Sequence, residues 1–183
     1  MRIAVFISGT GTNLKSLIDA QKNNEFNSTI ELVISNKDAK GLFHGLNANI
    51  PSLVVKNDEE ILEKLQEYNI DFIVLAGYLK RVSETILNNY ENKIINIHPS
   101  LLPKYGGKNF YGMKVHKAVF ENKDEVSGVT VHYVDENLDS GAIILQREVS
   151  IVDCKSPIEI KDKVLEVEHI LLKEAIKKVE EEQ

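Results

Sequence analysis

Short apolar runs alternate along the chain with longer stretches in which apolar positions recur every three or four residues. The runs predict strands at residues 3–7, 30–34, 53–55, 72–76 and 94–97, and most of them are apolar on both faces. The stretches between them predict helices at residues 12–22, 40–47, 58–68 and 84–91. Buried strands that alternate with helices are typical of a doubly wound α/β fold, in which the sheet is mostly parallel.

The last third of the chain follows a different pattern. Two strand-like runs, residues 128–134 and 142–149, are joined by an acidic turn and predict an antiparallel addition to the sheet. A long amphipathic helix follows, in which Ser156 can cap the first turn and Glu159 can complete a capping box. The predicted fold class is therefore α/β, a doubly wound, mostly parallel sheet with an antiparallel addition and helices on both faces.

Composition narrows the class of protein only slightly. The 183 residues contain no repeat or linker, which predicts a single domain over residues 1–183. The 22 basic and 28 acidic residues give a net charge of −6, which argues against a protein that coats nucleic acid or an anionic membrane. The single cysteine, Cys154, excludes an intramolecular disulfide and a zinc site of several thiolates. With no export signal or membrane span in the sequence, we expect a cytoplasmic location.

A glycine-rich segment, residues 8–13 with the sequence SGTGTN, joins the first predicted strand to the first helix. Glycines at this edge of a sheet let backbone N–H groups approach an anion, and the helix N-terminus adds partial positive charge. The dinucleotide fingerprint requires a further glycine where Leu14 stands, and an ATP-type loop is also missing at Gly107-Lys108. The segment therefore predicts a phosphate monoester site, with a purely structural turn as the alternative.

Two polar residues, Asn96 and His98, stand at the end of the fifth predicted strand and share one face. An amide can donate to a developing oxyanion and an imidazole can exchange a proton near neutral pH, which suits acyl transfer. The alternative is a hydrogen-bonded structural pair. Asp139 favours catalysis if its turn reaches the same edge, because a carboxylate raises the pKa of a nearby imidazole. No serine or cysteine has the setting of a nucleophile, so we expect direct transfer.

These segments together resemble the folate-dependent formyltransferases from residue 3 to about residue 172. The segments that carry the resemblance are residues 8–13, 75–79, 96–103, 128–134, 138–141 and 143–146. The resemblance implies the formyltransferase fold and transfer of a formyl group from 10-formyltetrahydrofolate to the glycine amine of glycinamide ribonucleotide in purine biosynthesis. It implies no metal, and no cluster of possible metal ligands stands in the sequence.

The resemblance also implies roles for individual residues. Asn96 and His98 would stabilise the oxyanion, while Asp139 would hold His98 in its charged form and help to remove the proton. The residues implied in substrate binding are Gly11, Thr12 and Asn13 for the phosphate, and Glu168 for the amino end. The residues implied in folate binding are Leu79, Lys80, Arg81, Val82 and Asn96. Without the resemblance, the residue pattern predicts that Glu168 is a solvent-exposed charged side chain on a helix.

Two segments depart from the family pattern. Between residues 55 and 58 the chain lacks the family's basic residue, and we do not assign that role to Lys56. Residues 105–113 are longer than in some members, and their glycines favour a mobile lid over a longer surface connection. We expect His116 and His132 to be supporting rather than catalytic.

The expected partners are small molecules, with no nucleic acid and no membrane, and the protein is expected to be a monomer or homodimer. The alternatives are a related formyl-folate enzyme with another amine acceptor, a hydrolase, or an inactive nucleotide-binding module. The methionyl-tRNA enzymes and the hydrolases carry an added domain, for which we expect no room in this chain.

Overall fold

The computed structural model describes residues 1–182, which form one seven-stranded sheet with helices on both faces. The strands are β1 (Arg2–Ile7), β2 (Thr29–Ser35), β3 (Ser52–Val54), β4 (Phe72–Leu75), β5 (Ile94–His98), β6 (Val126–Tyr133) and β7 (Ile143–Ser150). The helices are α1 (Thr12–Lys22), α2 (Leu42–Asn47), α3 (Asp58–Glu67), α4 (Glu84–Asn89), α5 (Met113–Glu121) and α6 (Pro157–Glu182).

The order of the strands across the sheet is β3-β2-β1-β4-β5-β6-β7. The first five strands in that order are parallel, and β6 and β7 are antiparallel to their neighbours. The predicted fold class is thus confirmed, including the antiparallel addition. The direction of winding reverses between β1 and β4, which is where open α/β sheets form their binding crevice.

Alternate residues of β1 belong to two separate hydrophobic cores. Ile3, Val5 and Ile7 pack into a core that includes residues of α1, α5 and α6. Ala4 and Phe6 point the other way, into a core that α3 and α4 complete. Because both faces of the strand are buried, its sequence is a continuous apolar run rather than an alternating one.

Two glycines approach each other closely at the start of α1. Gly11 has a φ of +70°, and a Cβ added there would lie 2.7 Å from the Cα of Gly41. The N–H of Gly41 donates to the carbonyl of Gly9 at 2.9 Å. No side chain caps α1, so the N–H groups of its first turn stay free of a protein side-chain acceptor.

The sequence pattern did not predict α5, and the boundaries of the other elements differ from the predicted ones by at most two residues. At α6, Ser156 Oγ accepts from the N–H of Glu159 at 3.3 Å, as the cap prediction requires. The carboxylate of Glu159 accepts from the N–H of Lys155 at 2.9 Å, one residue before the position of a standard capping box.

Candidate active site

A cleft of about 690 Å³ lies at the carboxyl ends of β1, β4 and β5. Its walls also include the starts of α1 and α5, one side of α6, and the loop between β6 and β7, residues 134–142, which we name the acidic loop. All the residues predicted to react or bind line this cleft: Gly11, Thr12, Asn13, Leu79, Lys80, Arg81, Val82, Asn96, His98, Asp139 and Glu168. The structure therefore brings together groups that lie up to 157 residues apart in the chain, counting from Gly11 to Glu168.

Asn96 faces His132 across the antiparallel pair of β5 and β6. Asn96 Nδ2 lies 3.2 Å from His132 Nε2, and His132 Nδ1 lies 2.8 Å from the carbonyl oxygen of Tyr133. A carbonyl only accepts, so His132 carries its proton on Nδ1 and accepts from the amide through Nε2. Burial lowers the pKa of His132, which fits this neutral form. The amide of Asn96 is thereby oriented, with its second N–H left for another acceptor.

The ring of His98 is only 4% exposed and has an oxygen near each nitrogen. His98 Nε2 lies 2.8 Å from the carbonyl oxygen of Tyr105, so Nε2 carries a proton. His98 Nδ1 lies 3.6 Å from Asp139 Oδ2, an ion-pair distance that is too long for a good hydrogen bond. The ring thus lies between a backbone carbonyl on one side and a carboxylate on the other.

Asp139 reaches His98 by an indirect path. Because β6 runs antiparallel to β5, the acidic loop leaves the sheet beside Ile94, where the N–H of Val134 donates to the Ile94 carbonyl at 2.9 Å. The loop then folds back toward the end of β5, and Asp139 adopts a φ of 54°. Asp139 Oδ2 also accepts from the N–H of Gly107 at 2.8 Å, which holds the carboxylate in place.

Glu168 on α6 is half-buried in the cleft rather than solvated, so the interpretation of this residue from the residue pattern alone is wrong. Its Oε2 accepts from Asn13 Nδ2 at 2.6 Å, which joins the first turn of α1 to the middle of α6. Burial raises the pKa of Glu168 to about 7, against the opposite effect of the Asn13 hydrogen bond. Asn13 Oδ1 is buried and has no hydrogen-bond partner among residues 1–182.

The opposite wall is the segment that follows β4. The N–H of Leu79 donates to Ser8 Oγ at 2.9 Å, and Arg81 donates to the carbonyl of Glu136 at 2.5 Å. The second contact ties this wall to the acidic loop. The ammonium of Lys80 is engaged by Asp58 at 2.9 Å, so this lysine reaches away from the cleft centre.

His116 and Lys161 also line the cleft, and the sequence pattern did not indicate either position. His116 is buried on α5, and burial together with the charge of Lys161 lowers its pKa to about 4. Recognition of α5 would have been needed to place His116 on this wall.

Neither a metal site nor a membrane-spanning helix is found within residues 1–182. No group of three or more His, Cys, Asp or Glu side chains in that part of the chain is arranged to hold a metal ion. No helix in the same part is long and apolar enough to cross a membrane.

Several known proteins are similar to this chain in sequence and in structure. A phosphoribosylglycinamide formyltransferase of Haemophilus influenzae is 42% identical over 178 residues, which cover 92% of this chain and 82% of that protein. A chloroplastic enzyme of the same name from Vigna unguiculata is 37% identical over 191 residues, 99% of this chain. The chain spans 61% of the length of the Vigna protein.

The crystal structure of phosphoribosylglycinamide formyltransferase from Bacillus halodurans superposes with a TM-score of 0.90 at 36% identity, covering 98% of this chain and 95% of that one. Residues 1–176 match the sequence family described as formyl transferase. The predicted family is thereby confirmed by sequence and by fold. This chain belongs to the formyl transferase family.

Proposed function

We propose that the protein transfers the formyl group of 10-formyltetrahydrofolate to the glycine amine of glycinamide ribonucleotide. The observation that carries the proposal is the placement of Asn96, His98 and Asp139 beside an uncapped helix start in one cleft. An amide, an imidazole and a carboxylate serve acyl transfer, and the helix start serves a phosphate. Relatives that carry the name of this activity support the choice.

The two walls of the cleft suit the two substrates. The phosphate would bind the N–H groups of Gly11, Thr12 and Asn13, and the amino end of the substrate would meet Glu168. The pterin of the folate would bind against the segment from Leu79 to Val82, with the acidic loop closing over it. The mobile-lid prediction for residues 105–113 belongs to this proposal, because Gly107 to Gly112 line the same cleft.

The reaction begins when the amine attacks the formyl carbon and the formyl oxygen becomes an oxyanion. The free N–H of Asn96 and the Nδ1 proton of His98 would donate to this oxygen. Because Nδ1 lies 3.6 Å from Asp139, no strong hydrogen bond to that carboxylate would compete for its proton. Asp139 would stabilise the charged ring and help to take the proton from the amine. Collapse then breaks the bond to the folate nitrogen, which leaves with a proton, and no covalent enzyme intermediate forms.

The proposal includes the broader expectations from the sequence. We propose one domain, a cytoplasmic location, small-molecule substrates without metal, nucleic acid or membrane, and a monomer or homodimer.

The test mixes purified protein with glycinamide ribonucleotide and 10-formyltetrahydrofolate and follows formylated product and released tetrahydrofolate. We expect equal amounts of both, strict dependence on the nucleotide, and a loss of at least about a hundredfold in kcat for His98→Asn. Glu166→Gln, an exposed change on α6, serves as the control and should keep full activity.

Two results would contradict the proposal. Release of folate without the nucleotide would indicate a hydrolase. Binding of both substrates without product would indicate a nucleotide-binding module that has lost catalysis.

A further inference from the structure

Thr130 lies in the middle of a row of three side chains that crosses the antiparallel part of the sheet. The register pairs His98 on β5 with Thr130 on β6, and Thr130 with Gln146 on β7. Residues directly opposite one another in antiparallel strands point to the same face. Thr130 is 0% exposed, so its hydroxyl must find all its partners within the protein.

The Thr130 hydroxyl uses its complete hydrogen-bonding capacity. Thr130 Oγ1 donates to the carbonyl of Ser100 at 2.6 Å and accepts from the N–H of Leu102 at 3.1 Å. It also accepts from Gln146 Nε2 at 2.8 Å. A hydroxyl has one donor and two acceptor sites, and all three are occupied here.

Gln146 completes the attachment. Its Nε2 donates to the carbonyl of Leu102 at 3.1 Å as well as to Thr130, so both amide hydrogens are used. Together Thr130 and Gln146 hold the backbone of residues 99–105, which we name the proline loop, at Ser100 and at Leu102. A further bond within the loop, from Ser100 Oγ to the Lys104 carbonyl at 2.6 Å, fixes its last turn.

The proline loop ends at Tyr105, whose carbonyl oxygen lies 2.8 Å from His98 Nε2. We propose that Thr130 and Gln146 are positioning residues: they fix the loop whose Tyr105 carbonyl keeps His98 protonated on Nε2 and aims Nδ1 toward Asp139 and the cleft. The proposal rests on the proposed function only for the catalytic role of His98. The placement of the ring follows from the contacts alone.

The other ionisable groups around His98 come from different elements. Asp139 belongs to the acidic loop and faces Nδ1, His116 belongs to α5, and His132 belongs to β6. None of these side chains is bonded to Thr130 or Gln146 among the described residues. The hydrogen-bond path from Thr130 to His98 therefore runs through the proline loop and the Tyr105 carbonyl.

The test uses full-length protein with ¹⁵N-labelled histidine, of which the chain has five. The ring ¹⁵N shifts report which nitrogen holds the proton, and the spectrum of His98→Asn assigns the His98 signals. The spectra are recorded in a titration between about pH 5 and 9. At the pH values where the ring of wild-type His98 is neutral, we expect the Nε2–H tautomer. In Thr130→Val, which has nearly the same shape and no hydroxyl, we expect a mixture of both tautomers.

Kinetics provide the second readout. We expect kcat of Thr130→Val to fall roughly ten- to a hundredfold, with KM for each substrate within about twofold of wild type, because binding residues are untouched. Thr130→Ser, which keeps the hydroxyl, should recover both the tautomer and most of kcat. Thr29→Val, a threonine change on exposed β2 surface, should alter neither.

If Thr130→Val does not fold, Gln146→Glu replaces it, because Gln146 is exposed and the change removes both donors without altering size. We expect the same direction of change in tautomer and kcat. An unchanged His98 tautomer in either folded variant overturns the proposal. A changed tautomer with unchanged kcat contradicts the catalytic role of His98 instead and leaves the positioning of its ring supported.

Discussion

The pKa values of single residues in the cleft depend on where the fold places their side chains. Glu168 is the clearest case, because an isolated glutamate on a helix is charged at neutral pH, whereas here burial raises its pKa to about 7. His116 shows the opposite direction, with a pKa lowered to about 4 by burial and by Lys161. Both shifts favour the neutral form in the folded state, and the two neutral forms coexist between about pH 4 and pH 7.

Replacement of Glu168 by glutamine should change how stability depends on pH. The folded protein keeps the proton on Glu168 up to about pH 7, whereas the unfolded chain loses it near the ordinary value of 4.5. Folded protein binds more protons in this window, so this group lowers the free energy of unfolding as pH rises from about 4.5 to 7. In Glu168→Gln we expect this decrease in the free energy of unfolding to be absent. The decrease amounts to at most about 3 kcal/mol.

Urea unfolding of wild type and variant at several pH values measures this difference. Glu166→Gln, two residues away on the exposed face of α6, is the matched control and should follow the wild-type curve. Parallel curves for wild type and Glu168→Gln would show that the pKa of Glu168 is the same in the folded and unfolded states and would contradict the prediction.

The residues of the site were predictable to different extents. Asn96 and His98 stand out in the sequence because polar side chains interrupt an otherwise apolar strand. The burial of Glu168 could not be predicted from the residue pattern, since it depends on the packing of α6 against the start of α1. The role of Thr130 was equally hidden, because a threonine in a strand is ordinary until the loop bonded to it is seen.

At the scale of elements, the start of α1 depends on two glycines from different parts of the chain. A Cβ at Gly11 would meet the Cα of Gly41 at 2.7 Å, and its φ of +70° is unfavourable for other residues. We expect Gly11→Ala to lower the free energy of unfolding by at least about 2 kcal/mol, from strain plus the displaced contact. Denaturant unfolding at neutral pH gives the value.

Gly9→Ala is the matched control for that change. A Cβ at Gly9 has nothing within 4 Å, and this residue has no positive φ, so we expect a cost below about 1 kcal/mol. Equal costs for the two substitutions would mean that the close approach of Gly11 to Gly41 does not matter for stability.

The elements themselves followed from the sequence, apart from α5. The long apolar runs and the amphipathic α6 have strong periodicity, whereas α5 has nine residues and follows Gly112 without a side-chain cap. A short helix without a start signal is set by tertiary contacts, here through buried Val115 and Val119. The path of the acidic loop also needed the structure, because the direction of β6 takes the loop to the Ile94 end of β5 and nothing in the composition predicts its return toward His98.

For the whole molecule, the cleft links segments from both ends of the chain. The glycine-rich segment lies near the amino end and α6 near the carboxyl end, and Asn13 and Glu168 join them across the cleft. A ligand that contacts both is expected to stabilise the entire fold. We predict that glycinamide ribonucleotide at about a hundred times its Kd raises the free energy of unfolding by about 2.7 kcal/mol.

Thermal unfolding at increasing ligand concentration measures this effect. Inorganic phosphate should raise Tm less than the nucleotide does, and only at higher concentrations, because it can occupy only the helix start. If glycinamide ribonucleotide leaves Tm unchanged at every concentration, binding in this cleft is contradicted.

The two edge strands of the sheet affect the tendency of the protein to aggregate at high concentration. An unpaired strand offers free N–H and C=O groups to other chains, and such strand addition starts many aggregates. β3 has only three residues and follows Pro51, which limits the length available for pairing. β7 is longer, but its exposed Arg147 and Glu148 place charge along it, and Arg147 is paired with Glu174 at 2.7 Å. The sheet thus resists growth from either side, by brevity on one and by charge on the other.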